Sequence, residues 1–252
     1  MAQKQKTGFI GCGNVRVAPY NPDGSFSNQW YELGETKKYE LKENVKEIDP
    51  IISNRCESKG QAVETLYIND VGELSIDVQS MFSKNLALLF NAELEKVTGS
   101  VDAFSDEITT TDTTGVLAKL SLGNIDPAGF TVKDNSGTDV DPALWELVDS
   151  KAGFIQLKDS IPAGTYTIAG NTLAVDKDRM VGGSAVGKRV RVMFSGMNFN
   201  TKKHVENIVA DVTLVPTGGF DFMASQYATG ALTGKPTVNK ELGFATETTV
   251  AI

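Results

Sequence analysis

Histidine and cysteine are almost missing: His204 stands alone, and Cys12 and Cys56 are the only thiols in 252 residues. One histidine leaves a nucleophile–base triad a single base to draw on, and His204 sits in the polar stretch 200–206 with no nucleophile elbow elsewhere. It reads as a surface histidine. The two cysteines form neither a CxxC pair nor a Cys/His cluster, which excludes a zinc site and a disulfide framework and leaves both expected as reduced, structural thiols. Long apolar runs are also lacking. None approaches the roughly 20 residues that cross a bilayer, and the patch at Phe9 and Ile10 is too brief for the apolar region of a signal peptide. The expectation is a chain made in the cytoplasm with no membrane span. Basic charge is in deficit, 24 Lys and Arg against 32 Asp and Glu, for a net charge of −8. Gripping a phosphate backbone needs clustered cations that release counterions, so this balance excludes tight nucleic-acid binding while allowing nucleic acid to slide past.

What is present centres on residues 69–95. Glu73 to Gln79 alternates strictly, with Leu74, Ile76 and Val78 on one face, which predicts a half-buried strand. The period then changes: Phe82, Leu86, Leu89 and Phe90 share one side of a helix capped by Ser80 or Ser83 and ended by Lys96 and Gly99. So short a helix is marginal alone in water and must lie on a sheet.

Along the chain, residues 1–34 read as an irregular lead. Lys37–Lys42 reads as a strand with Tyr39 and Leu41 inward, and Asn44–Gln61 as a long loop with no sustained period. Ala62–Ile68 is a strand that pairs with 73–79 through a turn at Asn69–Gly72. Residues 100–182 change texture to Thr, Asp, Ser and Gly around short apolar runs, predicting an inserted small β module. Residues 1–99 and 183–252 then make one discontinuous domain. In it Lys188–Ser195 presents Val190, Val192 and Phe194, and Glu206–Val215 presents Ile208, Ala210, Val212 and Leu214. Gly218–Ala224 and the segment after Val238 predict further strands, separated by a loop holding Gly230, Gly234 and Pro236.

Motifs for chemistry fail on inspection. Gly182–Arg189 has P-loop spacing as far as Lys188, but Arg189 replaces the magnesium-binding hydroxyl and the segment leads into a strand. Asp134, Asn135, Asp139 and Asp141 lack the order of an EF-hand. Trp30, Tyr31 and Trp145 have no basic groove around them for base stacking. No enzyme and no cofactor are expected.

Three stretches carry a resemblance. Glu32–Leu41 (ELGETKKYEL), Met81–Phe90 (MFSKNLALLF), and Thr213–Ser225 (TLVPTGGFDFMAS) with Leu232–Pro236 (LTGKP) resemble the phage major tail tube protein of siphophage type, over residues 8–92 and 186–244. The resemblance implies two packed antiparallel β-sheets with one flanking α-helix. It implies six copies closing into a ring, and rings stacking into a hollow tube in the virion tail through which DNA passes without specific binding. The partners it implies are further copies of the chain and the tape-measure, tail-terminator and tail-tip proteins. Under it, Glu64, Glu73, Asp77 and Asp211 are candidates to line the lumen, and Lys46, Asp49, Arg55 and Glu57 to contact the next ring. Arg189 and Arg191 are candidates to pair with acids across a subunit boundary. Two other readings stand beside it: the tube of a contractile injection or secretion apparatus, and a β-sandwich module that binds a saccharide or receptor in a pocket near Trp145 and Tyr166.

Overall fold

The computed structural model describes residues 11–251 except 22, 53–54, 58, 60–61, 112–114 and 185–186. Among them are sixteen strands and one α-helix. In chain order these are β1 (Gly11–Pro19), β2 (Tyr31–Glu32), β3 (Thr36–Ile52), β4 (Ala62–Val78), α1 (Ser83–Leu89), β5 (Glu93–Gly99), β6 (Ala103–Thr110), β7 (Val116–Lys119) and β8 (Thr131–Lys133). They continue as β9 (Trp145–Asp149), β10 (Phe154–Leu157), β11 (Gly164–Asn171), β12 (Val175–Val181), β13 (Lys188–Asn198), β14 (His204–Pro216), β15 (Gly230–Gly234) and β16 (Thr246–Val250). The fold is mainly β with a single helix. The chain divides into two compact units, Met1–Leu94 with Met180–Ile252, and Glu95–Arg179, against sequence-expected limits near 100 and 182.

The first unit is one antiparallel ladder in the order β2-β1-β13-β14-β15-β4-β3, with β16 also on β14. The two packed sheets expected from the sequence are halves of this continuous ladder. Leu74, Ile76 and Val78 of β4 share a single core with Val15 and Val17 of β1, Val190 and Val192 of β13, and Val209, Val212 and Leu214 of β14. Side chains hold the halves together where no ladder does. The Tyr39 ring stacks on Phe194 at 5.3 Å, its hydroxyl donates to the Asn207 side chain, and Thr246 Oγ1 donates to Glu43 Oε1 at 2.9 Å.

On β14 the inward residues are Val209, Val212 and Leu214, and not the Ile208–Ala210–Val212–Leu214 set that strict alternation predicts. The ladder to β13 shows why: Val190 pairs with Val212 but Val192 with Val209, so β14 carries one extra residue, a bulge at Ala210–Asp211 that resets which face points inward. The orphaned backbone is satisfied locally. Ala210 O accepts from Tyr20 Oη at 2.8 Å, Ala210 N donates to Ala245 O and Asp211 O accepts from Thr237 N, each at 2.8 Å.

The helix is shorter than its apolar stripe suggests. Asn91 takes φ of 46°, which stops the helix, and Lys96 and Gly99 belong to β5. Neither serine caps it: Phe82 occupies the N-cap with no side-chain bond, and Ser80 Oγ instead accepts from Glu35 N at 2.8 Å. The buried face is Asn85, Ala87, Leu88 and Leu89, because the Asn85 amide donates to Leu33 O and Ser80 O and turns that side inward. Helix and ladder approach closely at Gly230. A Cβ there would lie 2.3 Å from Leu89 Cδ1. Gly230–Gly234 is therefore strand β15, where the sequence suggested a loop, and Gly218–Ala224 forms no strand.

In the second unit two three-stranded sheets, β7-β10-β9 and β6-β11-β8, enclose a separate core that includes Phe104, Ile155, Leu157, Ile161 and Ile168. β5 and β12 pair as a two-stranded ribbon at the unit's ends. β6 and the full length of β12 were not visible as apolar runs, since Ala103–Thr110 and Val175–Val181 are rich in acidic and hydroxyl side chains.

Two predictions follow from this packing. Gly230→Ala should destabilise the protein by about 0.5–1.5 kcal/mol, because the buried Leu89 side chain must leave its rotamer to admit the methyl; urea denaturation measures it. Burial pushes the Tyr31 hydroxyl up to about 12 and also raises Tyr39. Both stay protonated in the fold where an unfolded tyrosine, with a pKa of about 10, ionises. Stability is then unaffected below pH of about 10 and falls between roughly 10 and 12. Tyr31→Phe should reduce that alkaline loss in a pH series of thermal melts.

Candidate assembly surfaces

The region expected as a loop at 44–61 is for the most part strand. β3 and β4 pair from Thr36↔Val78 out to Ile52↔Ala62, and no turn interrupts β4 at Asn69–Gly72. β15 joins β4 only along Leu74–Val78, so beyond Gly72 the two strands continue as a ribbon with no third strand among the described residues. Sequence periodicity fails here for a physical reason: neither face of the ribbon is covered, so no alternation is selected. Val45 and Tyr67 lie on one face at 62% and 61% exposure, and Ile48 and Ile68 on the other at 39% and 44%. A two-stranded ribbon alone in water is marginally stable at best. Of the four ring-contact candidates, Lys46 and Asp49 lie in β3, and Arg55 and Glu57 in the connection at its far end; the Asp49 side chain is outside the described set.

A second exposed surface flanks α1. Phe90, Phe220 and Phe222 pack edge-on and stacked at 4.8 to 6.0 Å, and Met223 and Tyr227 beside them are 92% and 90% exposed. A pocket of about 250 Å³ opens between Met81, Leu86, Phe220, Phe222 and Ala228. The sequence signal was the aromatic-rich run Phe220–Met223 in a glycine-rich segment, which period-based reading assigned to a strand.

The acidic candidates separate. Glu64 lies in β4 with its side chain outside the described set. Glu73 and Asp77 do point away from the core, but pairing sets Lys42 beside Glu73 and Lys38 beside Asp77, with Lys38 also bonded to Glu40 at 2.5 Å. The face is mixed in sign. Glu40, then Asp77 and Glu73, hold the Lys38 ammonium above its usual range.

Asp211 does not belong with them. Its side chain is 7% exposed and takes both Arg189 Nε bonds, at 2.9 and 3.1 Å. The pairing expected across a subunit boundary is thus made inside one chain for Arg189, whose guanidinium also lies 4.3 Å from the Tyr20 ring centre. Arg191 sits 3.6 Å over Phe26 and donates to Ala210 O at 3.3 Å. The bulge is what brings Asp211 round to this pair. Tyr20 and Asn239, which the sequence did not single out, complete it: Asn239 Nδ2 donates to Tyr20 Oη at 2.9 Å.

Residues 8–241 match the family described as Protein of unknown function UCP028589. The chain belongs to that family. No curated protein matches it.

The remaining sequence candidates in this family member have structural surroundings. His204 is half-exposed and meets Glu206 Oε1 at 3.0 Å. Asp134 accepts from Ser136 N and Thr138 N, both at 2.9 Å, and its carboxyl is held below the usual range first by the Ser136 hydroxyl. Gly182–Ser184 is a turn and Lys188 opens β13, with no helix among the described residues of this stretch to face a phosphate. Cys12 and Cys56 are free thiols, but exposed and not packed as structural cysteines. Tyr166 is buried with its hydroxyl on Pro162 O, and Trp145 packs on Phe130, so these two rings serve the core of the second unit.

Removing the buried partner tests the Arg189 cluster. Asp211→Ala should cost about 1–3 kcal/mol in urea unfolding, discounted from a fully buried pair because Arg189 is half-exposed. Asp77→Asn should stay within about 0.5 kcal/mol of wild type.

Proposed function

We propose that this chain is a structural protein that assembles with copies of itself into the wall of a phage-type tail tube, six to a ring, with rings stacking into a conduit for DNA. The observation that carries the reading is the β3–β4 ribbon: both strands run 17 residues, and their outer parts expose apolar side chains on both faces. Burying apolar surface contributes about 25 cal/mol per Å², and a second copy of the chain is a partner present wherever the chain is made. A head-to-tail contact that closes gives a ring, and one repeated along an axis gives a filament. The exposed aromatic surface beside α1 supplies a second contact area, and the three stretches that resemble tail tube proteins all lie in the first unit.

In this reading the ribbon, with Lys46, Asp49, Arg55 and Glu57, reaches the next ring. Glu73 and Asp77 face the lumen together with Lys38 and Lys42, a wall of mixed sign that holds DNA nowhere, and Glu64 belongs to the same strand. Asp211 and Arg189 are taken out of both roles, since each is the other's partner. The site of action is the virion tail, with the tape-measure, terminator and tip proteins as neighbours. The saccharide-binding alternative loses its support, because Tyr166 is buried and Trp145 packs against the same core.

Negative-stain microscopy at rising protein concentration tests the assembly. Six-fold rings or tubes are expected, and a dispersed monomer at every concentration would sink the reading. The double variant Ile48→Asp with Tyr67→Asp, one change on each face of the ribbon, should abolish rings while shifting Tm by no more than about 2 °C.

A further inference from the structure

The net charge is divided unevenly. Glu95–Arg179 holds fourteen Asp and Glu against seven Lys and Arg, a net −7 within a chain total of −8, so the first unit is close to neutral. The most exposed large apolar side chains among the described residues, Phe222, Met223 and Tyr227, lie in that near-neutral unit. A surface that is neutral and apolar associates readily, whereas a strongly charged one resists it.

We propose that the second unit is an electrostatic brake on the association of the first: copies that come together through unit one bring their seven negative charges with them and repel. The proposal rests on the assembly reading above. Backbone bonding accounts for part of the acidity: Asp126, Asp134, Asp141 and Asp149 each accept an N–H within their own turn, and Asp106 and Asp159 accept one from the distant Ser121 and Gly115. Asn would satisfy the four turns without charge, and Asp at all six positions adds −6 to the module. Glu107, Asp139, Glu146 and Asp178 are exposed and outside that set. Asp139 and Glu146 lie 3.9 Å from Lys133 and Lys158, but exposed pairs of this kind contribute about 0–1 kcal/mol, so the fold has little need of these four charges. The brake acts over the screening length, about 30 Å at 0.01 M salt and about 8 Å at 0.15 M, so assembly should be released by modest salt.

The test compares three full-length proteins by sedimentation velocity at about 0.01 M and about 0.15 M NaCl: wild type, E107Q/D139N/E146Q/D178N in the second unit, and E35Q/E93Q/E241Q/E247Q in the first. Both variants change the total charge equally. In low salt the second-unit variant should assemble at a concentration lower than wild type by on the order of fivefold, converging with it at the higher salt. The first-unit variant should track wild type. Equal shifts in both variants would overturn the proposal in favour of total charge alone. Assembly that ignores salt in all three would overturn the brake and leave the tube standing, whereas no assembly in any of them removes both.

Discussion

β14 hydrogen-bonds to β13, β15 and β16, and the first unit is arranged around keeping its inner face apolar from Val209 to Leu214. A straight strand of thirteen residues with this sequence would turn Asn207 and Val209 inward and carry Asp211 and Thr213 with them, burying a carboxylate in the core. The extra residue at Ala210–Asp211 avoids that cost. It switches the inward set to Val212 and Leu214 and swings Asp211 to the Arg189 guanidinium. Tyr20, Thr237 and Ala245 then close on the bulge, which ties the segments before β2, after β15 and before β16 to one spot. Those three connections lack long strands or helices of their own, and the bulge gives them a common anchor beside their internal turn bonds.

The same strand sets the limit on what the sequence reveals. Where one face is buried by a neighbour, alternation reports the structure: Glu73–Gln79 reads correctly because β3 and β15 flank it and the core covers Leu74, Ile76 and Val78. Alternation misleads at a bulge, where the reader has no signal for the added residue. It also vanishes on the outer β3–β4 ribbon, where Val45, Ile48, Tyr67 and Ile68 are all exposed and charged residues intervene on both faces. The helix stripe failed for a third reason. An amide, Asn85, faces inward to hold Leu33 and Ser80, and a polar residue on the buried side rotates any stripe drawn from apolar residues alone.

Of the candidate site, the ribbon was legible as a region and not as a structure, since absence of period in 44–61 marked it as unusual without saying strand. The acids were legible only as charges. Whether an acid is presented or consumed depends on what register puts beside it, and register joins Lys38 to Asp77 and Lys42 to Glu73 while a bulge gives Asp211 to Arg189. Composition does not say where charge sits. The total of −8 invites the idea of a repulsive bore, yet the first unit, which holds every lumen candidate, is close to neutral.

Under the assembly proposed above, that division of charge bears on how a wall built from such subunits would relate to DNA. Seven surplus negative charges facing a lumen would exclude DNA over a screening length of about 8 Å, and seven positive ones would hold it. A face of alternating Lys38, Glu40, Lys42, Glu73 and Asp77 does neither beyond the distance between neighbours, because each cation lies next to an anion on the adjoining strand. Its field largely cancels at short range, so in the tube proposed above DNA passage would depend little on salt. Under the same proposal, solubility, the other demand that charge usually meets, would fall to residues 95–179, and separate parts of one chain would meet the two demands.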